Sequence, residues 1–285
     1  MTGGRVAVVT DSTSDLDAAL AAQSGIGVVP LFVNFGDERF RDGIDLSRAE
    51  FFKRMRQGST LPTTSQPTAA MFEDVYRPLV ESDRPIVSIH ISSKLSGTIN
   101  AARAAAEQFP GATIRLVDSM TVTGGCALLA LHAAELAVGD GDADAIVAAI
   151  EGDKTRQHGY FTVPDLSHVT RTGRIGKAQA VLGGLLKIVP VLRFSNGEVE
   201  VEARVRTFAR AQETIVESTL RELGDVAKAR IIVMHAHAPE AGAALVEMLR
   251  AKLNANPAIL ALAEGGPAIS VHAGEGAVAI FSIAG

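Results

Sequence analysis

The chain has 285 residues, of which 47% are hydrophobic and 21% are charged, and its formal net charge is −5. Lys and Arg are scattered along the sequence, which excludes the basic footprint of a nucleic-acid-binding protein and the basic face of a membrane-binding one. The absence of Trp and the presence of only two Tyr exclude an aromatic platform for stacking bases or sugars.

The expected compartment is a reducing cytoplasm. The N-terminal sequence MTGGRVAVVTDS lacks the apolar core of a signal peptide, and the single cysteine, Cys126, cannot form an internal disulfide. The most apolar long window, 180–192, contains Lys187 and Pro190 and is far shorter than the about 20 residues that span a membrane. We therefore expect a soluble cytoplasmic protein with no nucleic-acid partner and at most transient membrane contact.

The first half of the chain alternates strand-like and helix-like segments. Strands are predicted at 5–10, 28–35, 86–92 and 113–119, and helices at 16–23, 47–57, 64–80, directly after 96, 123–138 and 142–151. Strands that alternate with helices of this length indicate a doubly wound, mainly parallel sheet. We place this N-terminal α/β domain at residues 1–160.

The second half has a different pattern. Two strand-like runs, 187–194 and 198–205, flank Asn196-Gly197, which predicts a β-hairpin. A helix at 207–223, a strand at 229–235, a helix at 239–253 and a final pair of strands at 268–272 and 277–284 follow. The prediction is a C-terminal α/β domain with a mixed sheet at residues 161–285, so that the fold class is α/β with two domains.

The segment SSKLSGT, between the strand at 86–92 and an alanine-rich helix, is a candidate anion site. Ser96 is a predicted helix N-cap, and Gly97 permits close approach to the backbone. A helix N-terminus offers free N–H groups and about half a positive charge to a carboxylate or phosphate. The alternative is an ordinary capped junction between a strand and a helix.

A second group of neutral donors lies in TTSQPT at 63–68, where Thr64 and its neighbours carry hydroxyls and Pro67 is expected in the first turn of a helix. By itself this segment is only a helix start. In a doubly wound sheet, however, helix entrances gather at the carboxyl ends of the strands, where ligands bind. We therefore expect Thr64 to lie near Ser96.

Other candidate sites have structural alternatives. Arg174 in RTGRIGK is either a fixed positive charge or a solvated arginine at a helix end. His235 and His237 share a strand end but have no third ligand at metal-like spacing, so no metal site is predicted. We interpret the polar segments at 11–15 and 118–119 as capping networks, and we exclude a nucleotide site after His272 because no helix follows its glycines.

Enzymatic chemistry is the alternative function. Ser96 and His272 could form a nucleophile and its base, although the sequence lacks GxSxG. It also lacks the GxxxxGK[ST] motif of a P-loop kinase. The main interpretation is a binding protein without catalysis of its own. The alternatives are a hydrolase and a phosphotransfer subunit that resembles a small-ketone kinase.

Together the motifs resemble those of the DegV family in order and spacing over essentially the whole chain. They are TDSTSDL at 10–16, TTSQPT at 63–68, ISSKLSGT at 91–98, VDS at 117–119, TGRIG at 172–176 followed by LGGLLKIVPVL, SNGEVE, and HAGEG at 272–276. The resemblance implies two α/β domains with one long-chain fatty acid buried between them, the second domain covering the lipid tunnel. It also implies no cofactor besides that ligand.

In several bacteria, proteins of this kind are the acyl-binding subunit of a fatty acid kinase that feeds phospholipid metabolism, and a separate chain carries the catalytic site. The resemblance assigns the fatty-acid carboxylate to Thr64, Ser96, Gly97, Arg174 and His272. The chain departs from the family in two places, with TGRI instead of GGRI and HAGEG instead of HxGPG. The second departure introduces the negative charge of Glu275.

Overall fold

A computed structural model describes residues 5–58, 61–139, 142–176, 178 and 188–285. Its strands are β1 Ala7–Asp11, β2 Ile26–Val29, β3 Phe32–Phe35, β4 Glu38–Arg41, β5 Thr63–Ser65, β6 Ile86–His90, β7 Ile114–Asp118, β8 Gln157–Thr162, β9 Val189–Ser195, β10 Glu198–Val205, β11 Arg230–His235, β12 Ile259–Glu264 and β13 Val278–Ile283. Its helices are α1 Ala18–Gln23, α2 Arg48–Gln57, α3 Ala69–Glu81, α4 Thr98–Ala106, α5 Thr123–Ala137, α6 Ala143–Lys154, α7 Ser167–Arg171, α8 Phe208–Glu222, α9 Pro239–Lys252 and α10 Pro267–Ala273.

A parallel sheet forms the N-terminal half, with strand order β2-β1-β6-β7. Every residue of β1 and β6 is buried, as expected for central strands that are covered on both faces. The polar residues Asp11, His90 and Asp118 end three of these strands at one edge of the sheet. The predicted doubly wound sheet is therefore confirmed.

A mixed sheet forms the C-terminal half, with strand order β10-β9-β8-β13-β11-β12. The pair β11 and β12 is parallel, and the other neighbours are antiparallel. Asn196 and Gly197 join β9 to β10 with φ of 50° and 79°, the left-handed values that a two-residue hairpin requires. The α/β class with a parallel and a mixed sheet agrees with the prediction.

Helix α5 lies between the two sheets. It packs on β1 and β6 on one side and on β11 and β13 on the other, and most of its residues are buried. Its first turn approaches the mixed sheet closely, because a Cβ on Gly124 would lie 3.1 Å from both Met234 and Phe281. A helix that is apolar on all sides is expected in such a middle layer.

The predicted strand at 268–272 is wrong. These residues lie in helix α10, which begins at Pro267 after the N-cap Gly266. A five-residue apolar run does not distinguish a strand from a buried helix, and the Gly-Pro pair was the overlooked helix start. Besides β13, β11 pairs with β12, an unpredicted strand whose alanines give a weak strand signal.

A small sheet with order β4-β3-β5 was also missed. Thr64 lies in β5 and pairs with Val33, whereas the sequence analysis placed it in a helix. Helix α3 begins only at Ala69, with Thr68 as its N-cap. The short polar strand is formed by pairing with β3, which the local sequence does not reveal.

Two sequence predictions are not tested by these elements. Residue 160, the predicted domain boundary, lies inside β8, and the division at 160 stays a prediction. Positions 180–187 of the apolar window, with Lys187 of the predicted strand, lie outside the described residues. In the described part of the chain, no helix combines the length and apolar character that would let it cross a bilayer.

Candidate functional site

A cavity of about 570 Å³, the main cavity, has walls from the mixed sheet, the small sheet, helices α5 and α10, and the segments that follow β1 and β6 of the parallel sheet. Its lining includes a polar cluster, which we define as Thr64, Gln66, Ser96, Gly97, Arg174 and His272. It also includes an aromatic wall, defined as Phe161, Phe194 and Phe281, together with aliphatic side chains such as Ile91, Leu95, Met234 and Ile269. The cavity therefore combines a few polar groups with a predominantly apolar surface, as small-molecule sites do.

Thr64 and His272 meet across 208 positions of sequence, with 2.8 Å between Thr64 Oγ1 and His272 Nε2. The register of β5 on β3 directs the half-buried Thr64 towards the last turn of α10, which carries His272. TTSQPT and HAGEG, which the resemblance assigns to one site, are thus joined by a hydrogen bond.

His272 is a neutral imidazole at neutral pH. Burial lowers its pKa to about 4, and the positive charge of Arg174 and the nearby His168 act in the same direction. Its Nδ1 is buried without a hydrogen-bond partner among the described residues. We assign the proton to Nε2, because this tautomer leaves only a lone pair unpartnered. Nε2 then donates to Thr64, whose hydroxyl proton is free to bind an anion in the cavity.

Ser96 and Gly97 start helix α4. The helix begins at Thr98, so its N-cap is Gly97 and not Ser96 as predicted. The Ser96 hydroxyl nevertheless accepts a hydrogen bond from the Thr98 N–H at 3.3 Å and lies 2.8 Å from Thr98 Oγ1. The hydroxyl and the helix start therefore face the same part of the cavity, where an anion meets the favourable end of the helix dipole.

Gln66 is a residue of the polar cluster that the sequence analysis did not single out. Its side chain lies against Gly97, and a Cβ at position 97 would collide with Gln66 Oε1 and lie 3.1 Å from Gln66 Cδ. Glycine at position 97 thus leaves room for the Gln66 side chain against the start of α4. The available signal was the position of Gln66 within TTSQPT, two residues after Thr64.

Arg174 is exposed at the edge of the main cavity. Its Nη1 donates a hydrogen bond to the Thr172 carbonyl at 2.6 Å, which holds the guanidinium close to its own loop. The flanking Gly173 and Gly176 have positive φ of 71° and 55°. The arginine joins the polar cluster through its lining position and through its charge, which lowers the pKa of His272.

Glu275, the acidic residue of the HAGEG departure, is paired. Arg56 on α2 donates to it through Nη2 at 3.0 Å and through Nε at 3.1 Å. Glu275 is not among the described residues that line the main cavity. The added negative charge is therefore directed to α2 rather than to the polar cluster.

Asp15 connects the segment at 11–15 to α10. The Gly266 N–H donates to Asp15 Oδ1 at 2.8 Å, and the Thr123 hydroxyl donates to Oδ2 at 2.5 Å. Burial raises the pKa of Asp15 to about 7, partly offset by the Thr123 hydrogen bond. This buried contact between distant parts of the chain extends the predicted capping role.

Asp42 makes a second contact with the start of α10. Its Oδ1 accepts the Ala268 N–H at 3.2 Å, and burial raises its pKa to about 6. Nothing in the sequence around Asp42 indicated this role, because its partner is 226 positions away. Asp15 and Asp42 together fix the helix whose last turn carries His272.

The remaining candidates have structural partners. His235 Nδ1 accepts the Ala238 N–H at 3.2 Å, and the His237 ring stacks on Phe52 with 4.6 Å between centroids. Asp118 accepts N–H groups of Ser93 and Met120, as expected for a capping network. Within the described ranges, no group of three His, Cys, Asp or Glu side chains could hold a metal ion.

Ser96 and His272 do not form a hydrogen-bonded catalytic pair. Ser96 Oγ is bonded to Thr98, and His272 Nε2 is bonded to Thr64. A nucleophilic serine is activated by a base within hydrogen-bond reach, and here each side chain is engaged elsewhere. The geometry favours binding of an anion over attack by Ser96.

Comparison with known proteins shows which family this is. Residues 5–285 match the family described as uncharacterised protein, DegV family. Relatives include a DegV domain-containing protein of Deinococcus radiodurans, 37% identical over 275 residues and covering 96% of this chain and 97% of its own. Protein DegV of Bacillus subtilis is 34% identical over 277 residues, covering 96% of this chain and 98% of its own.

Solved structures agree over the full length. A DegV family protein from Thermus thermophilus, described by its fatty acid binding, has a TM-score of 0.92 and 35% identity, covering 98% of this chain and 99% of its own. DegV from Bacillus subtilis, described as a fatty acid binding protein, has a TM-score of 0.90 and 33% identity, covering 99% of this chain and 100% of its own. The sequence and the structure both place this chain in the DegV family.

Proposed function

We propose that this protein binds one long-chain fatty acid in the main cavity, with its carboxylate at the polar cluster and its acyl chain along the apolar lining. The observation that carries the proposal is the combination, in one cavity, of the Thr64 and Ser96 hydroxyls with an aliphatic and aromatic wall. The Thermus and Bacillus relatives described as fatty acid binding support it.

The apolar lining supplies the affinity. Transfer of each methylene from water to an apolar surface contributes about 0.8 kcal/mol, so a chain of sixteen or so carbons is strongly favoured to enter such a cavity. This contribution has no directional requirement. It selects a ligand by the length and shape of the cavity rather than by specific contacts.

The polar cluster stabilises the charged end of the ligand. A carboxylate that leaves water needs hydrogen-bond donors to replace its hydration. The Thr64 and Ser96 hydroxyls and the start of α4 are such donors, and the neutral His272 polarises Thr64 without forming a permanent ion pair. Arg174 adds a positive charge nearby. In this proposal Thr64, Ser96, Gly97, Arg174 and His272 hold the carboxylate.

We further propose that the protein acts in the cytoplasm as the acyl-binding subunit of a fatty acid kinase. The exposed position of Arg174 at the cavity edge supports access by a second protein to the carboxylate. A docked kinase chain would phosphorylate the carboxylate in place to an acyl phosphate for phospholipid metabolism. Catalysis then belongs to the partner, and this chain positions the substrate.

The test separates binding from presentation. Delipidated protein is titrated with palmitate and oleate by calorimetry, and saturation at one ligand per chain is expected. The loaded protein is then incubated with a fatty acid kinase catalytic chain and ATP, and acyl phosphate is trapped with hydroxylamine. Acyl hydroxamate that requires both chains supports the kinase role. Binding without product rejects that role alone, and no binding rejects both.

A further inference from the structure

A second cavity, of about 300 Å³, adjoins the main cavity. Its lining includes Met120, Thr121, Lys154, Gly159 and Asn196. One side chain, Phe194, lines both cavities. The two spaces therefore share an aromatic ring as part of their walls.

Phe194 is held in place by the other two members of the aromatic wall. Its ring stacks on Phe161 with 5.2 Å between centroids and lies 5.7 Å from the ring of Phe281. Phe161 and Phe281 line only the main cavity. The position of Phe194 is thus fixed by packing, and the same residue also lines the second cavity.

Gly159 allows the rings of Phe194 and Phe281 to pack directly against the backbone of β8. A Cβ at this position would lie 2.7 Å from the ring of Phe281 and 3.2 Å from that of Phe194. Any larger residue would push the rings away from their present positions, because 2.7 Å is well inside the distance of normal carbon contact. Gly159 also lines the second cavity, so the separation between the two spaces is thin at this point.

We infer that Phe194 is the residue that limits the length of acyl chain the main cavity accepts, and that the second cavity is a subsite for the terminal carbons of longer chains once this ring is removed. The inference rests on the proposed function, because it takes the ligand of the main cavity to be a fatty acid. It adds the residue that determines chain length.

Six of the nine described residues that line the second cavity are polar, so its apolar surface is small, and its two charged side chains neutralise each other in part. Lys154 donates to both carboxylate oxygens of Glu151 at 2.8 Å. The Met120 side chain and the face of Phe194 offer apolar contacts. Each added methylene that finds apolar surface there strengthens binding by up to about fourfold, so that two such groups give up to about sixteenfold.

The experiment compares saturated fatty acids of 14 to 22 carbons on three proteins. In Phe194→Ala, the ratio of C20 to C16 affinity is expected to rise about tenfold relative to the wild type. Phe161→Ala removes a ring from the same stack without touching the second cavity. Because the contact with Phe281 still holds Phe194, this variant is expected to weaken all chains by a similar factor and to leave the preferred length unchanged.

Stability is measured in parallel by thermal unfolding. If Phe194→Ala does not fold, Phe194→Leu keeps an apolar side chain and is expected to show a smaller shift in the same direction. A folded Phe194 variant with the wild-type length preference overturns the inference, while wild-type binding of C16 leaves the proposed function standing. Wild-type protein that binds no fatty acid of any length rejects the proposed function itself.

Discussion

The polar cluster and the aromatic wall line the same cavity but are built differently. The cluster comes from four short motifs, TTSQPT, SSKLSGT, TGRIG and HAGEG, and its side chains are oriented by hydrogen bonds such as the one between Thr64 and His272. The wall consists of single phenylalanines on β8, β9 and β13, brought together by antiparallel register and stacking. Directional contacts need particular residues, whereas an apolar surface needs only suitable volume.

This contrast has a functional consequence within the proposed role. Loss of a donor in the polar cluster leaves a charged group without its hydrogen bond, which is costly for every ligand. A change at Phe194 in the aromatic wall alters which chain fits without removing the basic affinity. We therefore expect the first region to determine whether a fatty acid binds and the second to determine which one.

The largest effect is expected from removing both hydroxyls of the polar cluster. Hydrogen bonds to charged groups contribute about 1.5–3 kcal/mol each, so Thr64→Val with Ser96→Ala should weaken palmitate binding about 100-fold or more. Calorimetric titration of delipidated protein measures this change.

The matched control is Thr63→Val. Thr63 lies on the same strand but is exposed and does not line the main cavity. The affinity of Thr63→Val for palmitate should equal that of the wild type. Retention of wild-type affinity by the Thr64 and Ser96 double variant would remove both residues from the site.

A smaller effect is expected at Gly97. In Gly97→Ala the new methyl collides with the Gln66 side chain, which must shift and disturb the cluster. We expect about a tenfold loss of affinity, which corresponds to about 1.4 kcal/mol. The double variant with Gln66→Ala removes the colliding group and should recover most of the loss. A double-mutant cycle without such coupling would show that the contact is unimportant.

The pH dependence of stability tests the anchoring of the polar cluster through α10. Because burial raises the pKa of Asp15 to about 7, the folded protein holds a proton at mildly acidic pH that the unfolded chain has already lost. Unfolding then releases a proton, and the free energy of unfolding falls as the pH rises through 7.

Between pH 6 and pH 8 this fall should be about 1 kcal/mol larger in the wild type than in Asp15→Asn, as measured by urea denaturation. Burial lowers the pKa of His272 to about 4, so its proton uptake lies below this range and does not interfere. The exposed Asp17 offers a control, and Asp17→Asn should keep the wild-type slope. Equal slopes for all three proteins would contradict the raised pKa of Asp15.

The smallest effect on fatty acid affinity is expected from replacing Glu275, the residue at which HAGEG differs from the family motif. Glu275→Gln breaks the exposed ion pair with Arg56, and such pairs contribute about 0–1 kcal/mol. Fatty acid affinity should change less than about twofold, because the carboxylate of Glu275 is directed away from the main cavity. A severalfold gain in affinity would mean that the Glu275 charge does act on the bound carboxylate.

Much of the fold could be predicted because its signals are local. The alternation of β1, β6 and β7 with helices predicted the parallel sheet, and Asn196-Gly197 predicted the hairpin. Helix α10 and strand β12 were missed because short apolar runs do not have a resolved period. Strand β5 was missed because its structure depends on pairing with β3.

The candidate site follows the same division. The five residues assigned by resemblance all line one cavity, although their role in holding a carboxylate stays a prediction. Gln66 and Asp42 escaped detection because their partners, Gly97 and Ala268, are distant in sequence. No sequence motif indicated the role of Phe194. Its place between two cavities follows only from the register of β9.

Native mass spectrometry of freshly purified protein tests the central claim most directly. The account predicts one bound ligand per chain that is released on denaturation and identified as a fatty acid of 14 to 20 carbons, with depleted occupancy in the Thr64 and Ser96 double variant. Protein without lipid whose melting temperature also does not respond to added palmitate or oleate would contradict it.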